Sequence, residues 1–279
     1  MARTPKALAL GAALRQAREA KGLLLRELAT AINRDNGVVS RWENGERTPK
    51  PEQVAQILTR LEVSGARYDE IMTLAYGTAE SQWVAFTLPE QRQAMNAYLD
   101  WEQNATSIVE VAPLLVPGLL QIADYVHGLM ADAGVPAGEI AARVTARVGR
   151  REAITKAKPA ELRVLLGENA LLSDIGGRSV TIAQLRYLLE VAAWPNVRLQ
   201  VFPNHRGWHP GLEGDFAVIE RKPASIVFVG GRRSVMMLHE SSDVDFYKHA
   251  VDRIVRVCMS PESSAKFIAD VVSRLEKQS

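Results

Sequence analysis

The chain has 279 residues, 34 Lys+Arg against 32 Asp+Glu, and a net charge of +2. At ~150 residues per domain, that length predicts about two domains. The charge balance excludes a histone-like or wholly nucleic-acid-coating protein. Apolar residues make up 47 % and charged residues 24 %, ordinary values for a globular protein with a core of normal size. A single cysteine, Cys258, excludes an internal disulfide and any multi-cysteine zinc or iron–sulfur site. It fits a reducing, cytoplasmic setting. No apolar run approaches the ~20 residues of a membrane span, so no membrane partner is expected. The opening stretch, basic and then apolar, is cut short by Arg15 and Arg18, and no cleavage site follows. It reads as the first helix of a domain rather than a secretory signal.

Charge is unevenly spread. Residues 1–50 hold ten basic and five acidic side chains, residues 80–110 one and five, and residues 140–166 seven and two. A solvated helical surface accounts for most such runs, and a phosphate-facing surface is the sharper reading. Composition does not choose between them; the motif does.

Residues 1–76 read as five short helices. Leu10, Leu14 and Ala17 give the first an apolar stripe at helical spacing, and Gly22 stops it. The second covers 25–32, with Leu28, Ala29 and Ile32 inward. Asn33-Arg34-Asp35 form a tight turn, and Asp35 is the expected N-cap of a third helix over 36–44 that stops at Gly45. Val39 and Trp42 form its buried face. Val54, Ile57, Leu58 and Leu61 mark the fourth helix, and Ile71, Leu74 and Ala75 the fifth, which is expected to end at Gly77.

Helix, short turn, helix, with small Ala29 where the two must cross closely, is helix-turn-helix geometry. The segment LRQAREAKGLLLRELATAINRDNGVVSRWENGERTP resembles the phage-repressor-like (Xre-type) DNA-binding family, over roughly residues 7–76. In such domains the second helix of the motif lies in the major groove. The side of the third helix opposite Val39 and Trp42 then faces double-stranded DNA: Asn36, Gly37, Ser40 and Arg41, with Val38 at the margin. Asn pairs bidentately with adenine and Arg with guanine, each worth ~1–3 kcal/mol of discrimination. Asn44, Arg47 and Lys50 are placed for phosphates. The resemblance also implies an ion pair between Arg18 and Glu43 that fixes the angle of the recognition helix. Leu24-Leu25 stand where many members carry a polar pair that caps the second helix and grips a phosphate; leucine does neither.

Residues 78–86 are small and polar at their start and read as a linker. Residues 87–279 are expected to form an effector and dimerisation domain. Its predicted helices cover 89–111, 117–130 and 139–156. After Pro159 the period changes: LRVLLGE, VRLQVF, FAVIE, SIVFVG and SVMMLH read as strands, with helices at 180–193, 243–259 and 262–275. The whole is expected to be a five-helix repressor-like domain followed by an α+β domain with a mainly antiparallel sheet.

The stretch WEQNATSIVEVAPLLVPGLLQIADY resembles the effector domain of WhiJ-like actinobacterial regulators. Arg143, Arg147, Arg150, the run Glu168-Asn169-Ala170-Leu171, Gln184-Leu185, Val201-Phe202-Pro203 and Gly214-Asp215-Phe216 extend the likeness to residue 275. Ile122 departs from the threonine usual there, and Gly230 stands near an expected glutamate. The resemblance implies a toxin–antitoxin-like regulator paired with a small companion protein from a neighbouring gene.

Glu102 falls inside the apolar stripe of the helix predicted over 89–111, among Met95, Tyr98, Leu99, Ala105, Ile108 and Val109. A buried carboxylate needs a partner, and Arg147 is the expected one. His205, His209 and Glu213 are spaced four apart, but their Gly- and Pro-rich run reads as a loop, so no metal is expected there. No phosphate loop, nucleophile elbow or local triad is present, and no cofactor is expected. Cys258 reads as a small residue of an apolar helix. The expected function is a sequence-specific transcriptional regulator, not an enzyme, acting as a homodimer. The alternatives are a DNA-tethered ligand- or metal-binding domain, enzymatic or not, and an antitoxin that sequesters a partner.

Overall fold

The computed structural model describes residues 4–76, 82–231 and 234–277. Five helices open the chain: α1 (Pro5–Ala20), α2 (Leu25–Ala31), α3 (Asn36–Glu43), α4 (Pro51–Arg60) and α5 (Gly65–Ala75). They match the five expected from sequence, and the expected end at Gly77 lies outside the described residues. Local chemistry sets their ends. Thr4 caps α1 by accepting from the Ala7 amide at 3.0 Å, with Pro5 in the first turn. Asp35 caps α3 through the Gly37 amide at 2.7 Å. Asn33 turns with φ +51°, and Gly22 with φ +73° ends the excursion after α1. The stripe residues Leu10, Leu14, Leu28, Ala29, Val39, Trp42, Val54, Ile57, Leu58 and Ile71 are all buried, so each helix spends its apolar face on one core.

The rest comprises β1 (Gln82–Ala85), α6 (Leu88–Gln103), β2 (Ser107–Ala112), α7 (Ala123–Asp132), α8 (Ala137–Gly149), α9 (Glu152–Thr155), β3 (Glu161–Gly167), α10 (Glu168–Leu172), α11 (Arg178–Val191), β4 (Val197–Phe202), β5 (Phe216–Arg221), β6 (Ala224–Gly230), β7 (Val235–Leu238), α12 (Ser241–Val257) and α13 (Pro261–Lys277). The seven strands take the order β1-β7-β6-β5-β2-β3-β4. The ladders β1–β7, β6–β7 and β2–β5 are antiparallel; β2–β3 and β3–β4 are parallel. The α+β class with a mainly antiparallel sheet therefore holds, in a mixed sheet. Contact density divides the chain into two compact units, Met1–Asp100 with Ile226–Asp243, and Trp101–Ser225 with Val244–Ser279.

Several predicted elements differ. The stretch 107–112 is a strand, not the end of a helix, so the stripe assigned to 89–111 is real only up to Gln103. Ile108, Val109 and Val111 are β-branched, as a strand prefers; their chance spacing after Leu99 imitated a helical face. The last part of the expected linker, 82–85, is strand β1. The helix expected over 139–156 breaks at Arg150-Arg151, and the one expected over 117–130 begins with a single 3-10 turn, Gly118–Leu120. Strand β3 was legible because a strand with parallel neighbours on both sides is buried on both faces and reads as an unbroken apolar run: Leu162, Val164, Leu165 and Leu166 are all within 2 % of full burial.

Candidate nucleic-acid interface

The third helix presents two faces. Val39, Trp42 and Glu43 are buried, while Asn36 and Arg41 are exposed and Gly37, Val38 and Ser40 half-exposed. The residues expected to read bases therefore share the outer side of α3. Gly37 leaves room for the N-cap: a Cβ there would lie 3.0 Å from the Asp35 Oδ1. Arg47 and Lys50 are exposed beyond the helix. Asn44 is the C-cap of α3. Its side chain is engaged within the domain, accepting from the Arg15 guanidinium and donating to the Ser40 hydroxyl at 3.4 Å.

Helix α3 is anchored from behind. Arg18 grips Glu43 with both arms, Nε to Oε1 at 2.6 Å and Nη2 to Oε2 at 2.8 Å, and also donates to the Leu23 carbonyl at 2.8 Å. These bonds to Glu43 raise the Arg18 pKa against the desolvation that opposes it. Arg15 adds a second cation 3.6 Å from Glu43. Gly11 lets the backbones close: a Cβ there would lie 2.6 Å from the Trp42 carbonyl oxygen. Arg15 and Gly11 escaped sequence reasoning. A glycine amid an apolar stripe was the available signal for the second.

Leu24 makes no side-chain cap for α2 and is 52 % exposed. Glu27 reaches back to the Leu24 amide at 2.7 Å, supplying one half of a capping box.

In the second unit, Glu102 is fully buried, as expected, but its partner is Arg150, not Arg147. Arg150 donates from Nε at 2.9 Å and Nη2 at 2.6 Å. Sequence pointed to Arg147 because it borders the stripe of α8. Arg150 follows that helix as its C-cap, where helical periodicity no longer predicts direction. Arg147 instead reaches the Gln121 Oε1 at 3.4 Å. Around them the segment 116–122 is tied on every side. Gln121 donates to the Val116 carbonyl at 2.7 Å, and Arg151 to the Gln121 carbonyl at 2.8 Å. Gln184 accepts from the Ile122 amide and donates to the Leu120 carbonyl, both at 2.8 Å.

His209 is buried, edge-on to Phe202 at 5.0 Å between ring centroids, and burial lowers its pKa. Among the described residues no group of three His, Cys, Asp or Glu could hold a metal ion. Cys258 lies just past α12, half-buried, and burial pushes its thiol up to about 12; it is neither inside the helix nor a ready thiolate. No helix of the described residues is long and apolar enough to cross a membrane.

Residues 9–71 match a family described as a helix-turn-helix domain, and residues 95–270 match a domain of unknown function, DUF5753. No curated protein matches the chain. With well over half its length inside the second match, the chain belongs to the DUF5753 family, and it carries a helix-turn-helix domain ahead of that domain.

Proposed function

We propose that this protein is a cytoplasmic, sequence-specific transcriptional regulator that binds an operator as a homodimer and is not an enzyme. The observation that carries the reading is the outer face of α3. Asn36, Gly37, Ser40 and Arg41 share it, and Arg18 and Glu43 fix the helix behind it. Dimerisation is assigned to the C-terminal region. One recognition helix reads only a few base pairs, and two half-sites about one helical turn apart restore affinity. The WhiJ-like resemblance of residues 87–275 supports an effector role there, with a small companion protein delivering the signal.

The test is operator selection followed by titration at several salt concentrations. Wild type should prefer its selected operator over random duplex, with both affinities falling steeply as salt rises. Arg41→Ala should lose ~1–3 kcal/mol of preference at one base pair and keep its affinity for random DNA. Equal binding of wild type to operator and random duplex at every salt concentration sinks the proposal.

A further inference from the structure

Strands β2, β3 and β4 begin at a groove of about 490 Å³, a volume typical of small-molecule sites. Its floor is one row of the sheet: Val109 pairs in register with Arg163, and Arg163 with Arg198. Side chains alternate along a strand, so register partners share a face, and all three line the groove. Neighbouring strands lie ~4.8 Å apart, so the two arginine side chains leave the sheet side by side. Like charges directly opposite one another destabilise a sheet.

Arg198 lies close enough to Glu262, in the first turn of α13, to lower that carboxyl's pKa, and Arg163 close enough to Cys258 to act on its thiol. Among the described residues, neither arginine makes a hydrogen bond or an ion pair. Glu161, two residues before Arg163 on the same face of β3, lines the groove without pairing to either. The rim is fixed: Asn196 spends its side-chain amide on the Ile154 and Ala160 carbonyls, both at 3.0 Å, and its carbonyl accepts from the Leu162 amide at 2.8 Å. A fixed rim, an apolar patch at Val109 and two adjacent cations that make no direct hydrogen bond among the described residues suit an anion.

We propose that this groove binds a small organic anion, its phosphate or carboxylate group held between Arg163 and Arg198. Glu161 at the same wall favours a ligand that carries a hydrogen-bond donor beside its anionic group. Occupancy would give the DUF5753 domain a small-molecule input. The site does not depend on the DNA-binding reading, and its test contains no DNA, so the two fail separately.

The full chain is to be titrated at constant ionic strength with inorganic phosphate, a nucleoside monophosphate and a tricarboxylate, following heat of binding and the unfolding midpoint. At least one probe should bind wild type and raise its midpoint; the strongest of the three separates phosphate from carboxylate recognition. Arg163→Gln and Arg198→Gln should each weaken that binding about tenfold or more. Arg198→Glu keeps the fold by placing a carboxylate opposite Arg163, and it should abolish the response. If no probe shifts wild type, or if wild type and all three variants respond alike, the groove is not an anion site.

Discussion

Each compact unit holds an arginine–glutamate pair, and the two pairs differ in what surrounds them. In both, the carboxylate stands at a helix C-terminus, Glu43 as the last residue of α3 and Glu102 next to the last of α6. The helix dipole disfavours an anion there, so each depends on its arginine. Arg18 comes from the regular last turn of α1 and keeps other acceptors, the Leu23 carbonyl and Glu19. Arg150 comes from the break between α8 and α9. Its guanidinium packs 2.7 Å from where a Cβ of Gly118 would stand, and its carbonyl accepts from the Gln103 side chain. The first pair is a peg between two helices. The second is a node that also shapes the segment 116–122. Removing a partner should therefore cost more in the second.

The largest effect is expected at Glu102. Glu102→Ala and Arg150→Ala each leave a buried charge uncompensated, and each should destabilise the full chain by about 3–5 kcal/mol in denaturant unfolding. Arg147→Ala should cost less than Arg150→Ala, because its hydrogen bond to Gln121 is long and part-buried where Arg150 holds a buried carboxylate. Equal losses for Arg147→Ala and Arg150→Ala would overturn the assignment.

A smaller loss, about 2 kcal/mol, is expected for Arg18→Ala or Glu43→Ala, since each survivor keeps another partner. The double variant should cost less than the sum, and strict additivity would mean the pair carries no coupling. Glu43→Ala should also lower preference for the selected operator, because α3 loses its anchor while its outer face is untouched.

These two pairs also show what sequence could and could not tell. Helices α1 to α5 follow from spacing and caps because each is regular and its neighbours are close in sequence. Arg18 and Glu43 then sit where helical geometry puts them, and the family resemblance named the pair. Glu102 was legible as a buried carboxylate, since an acidic residue stood inside an apolar stripe. Its partner was not, because Arg150 lies where one helix stops and the next starts, and only the fold sets its direction. The same limit hid β2. Its six residues continue the apolar spacing of α6, and only their pairing with β3 and β5 declares them a strand. The groove at Arg163 and Arg198 was likewise invisible, because a cross-strand register joins residues 35 apart in the chain.

His209 offers a comparison by pH. Its pKa is held below the ordinary 6.5 by burial, so the unfolded chain takes up the proton first. Its contribution to stability is present above about pH 6.5 and is lost as pH falls through the folded value. His239 shifts in the same direction and adds to the slope. His209→Phe keeps an aromatic edge on Phe202 and cannot be protonated. Its urea midpoint should therefore fall less than that of wild type between pH 7.5 and 5. Parallel curves would show that His209 is solvated in the folded protein.

The smallest effect belongs to Leu24, where the N-terminal unit departs from the family it resembles. Its backbone already has N-cap geometry, with φ −72° and ψ 153°, so a serine fits without rearrangement. Leucine offers the first turn of α2 no acceptor, yet Glu27 covers the Leu24 amide and the Glu27 amide reaches the Leu24 carbonyl at 3.0 Å. Only part of a full cap is therefore missing. Leu24→Ser should stabilise the protein by about 0.5–1 kcal/mol, read as a raised unfolding midpoint. The change removes little packing, since the side chain is 52 % exposed. If the resemblance holds at this position, the hydroxyl also gains a phosphate contact. Affinity for random duplex should then rise with no change in base preference, and the salt dependence should stay the same because no charge is added. A lowered midpoint would mean that Leu24 makes a contact its exposure conceals, and that the departure from the family's polar pair serves packing rather than a weakened grip on DNA.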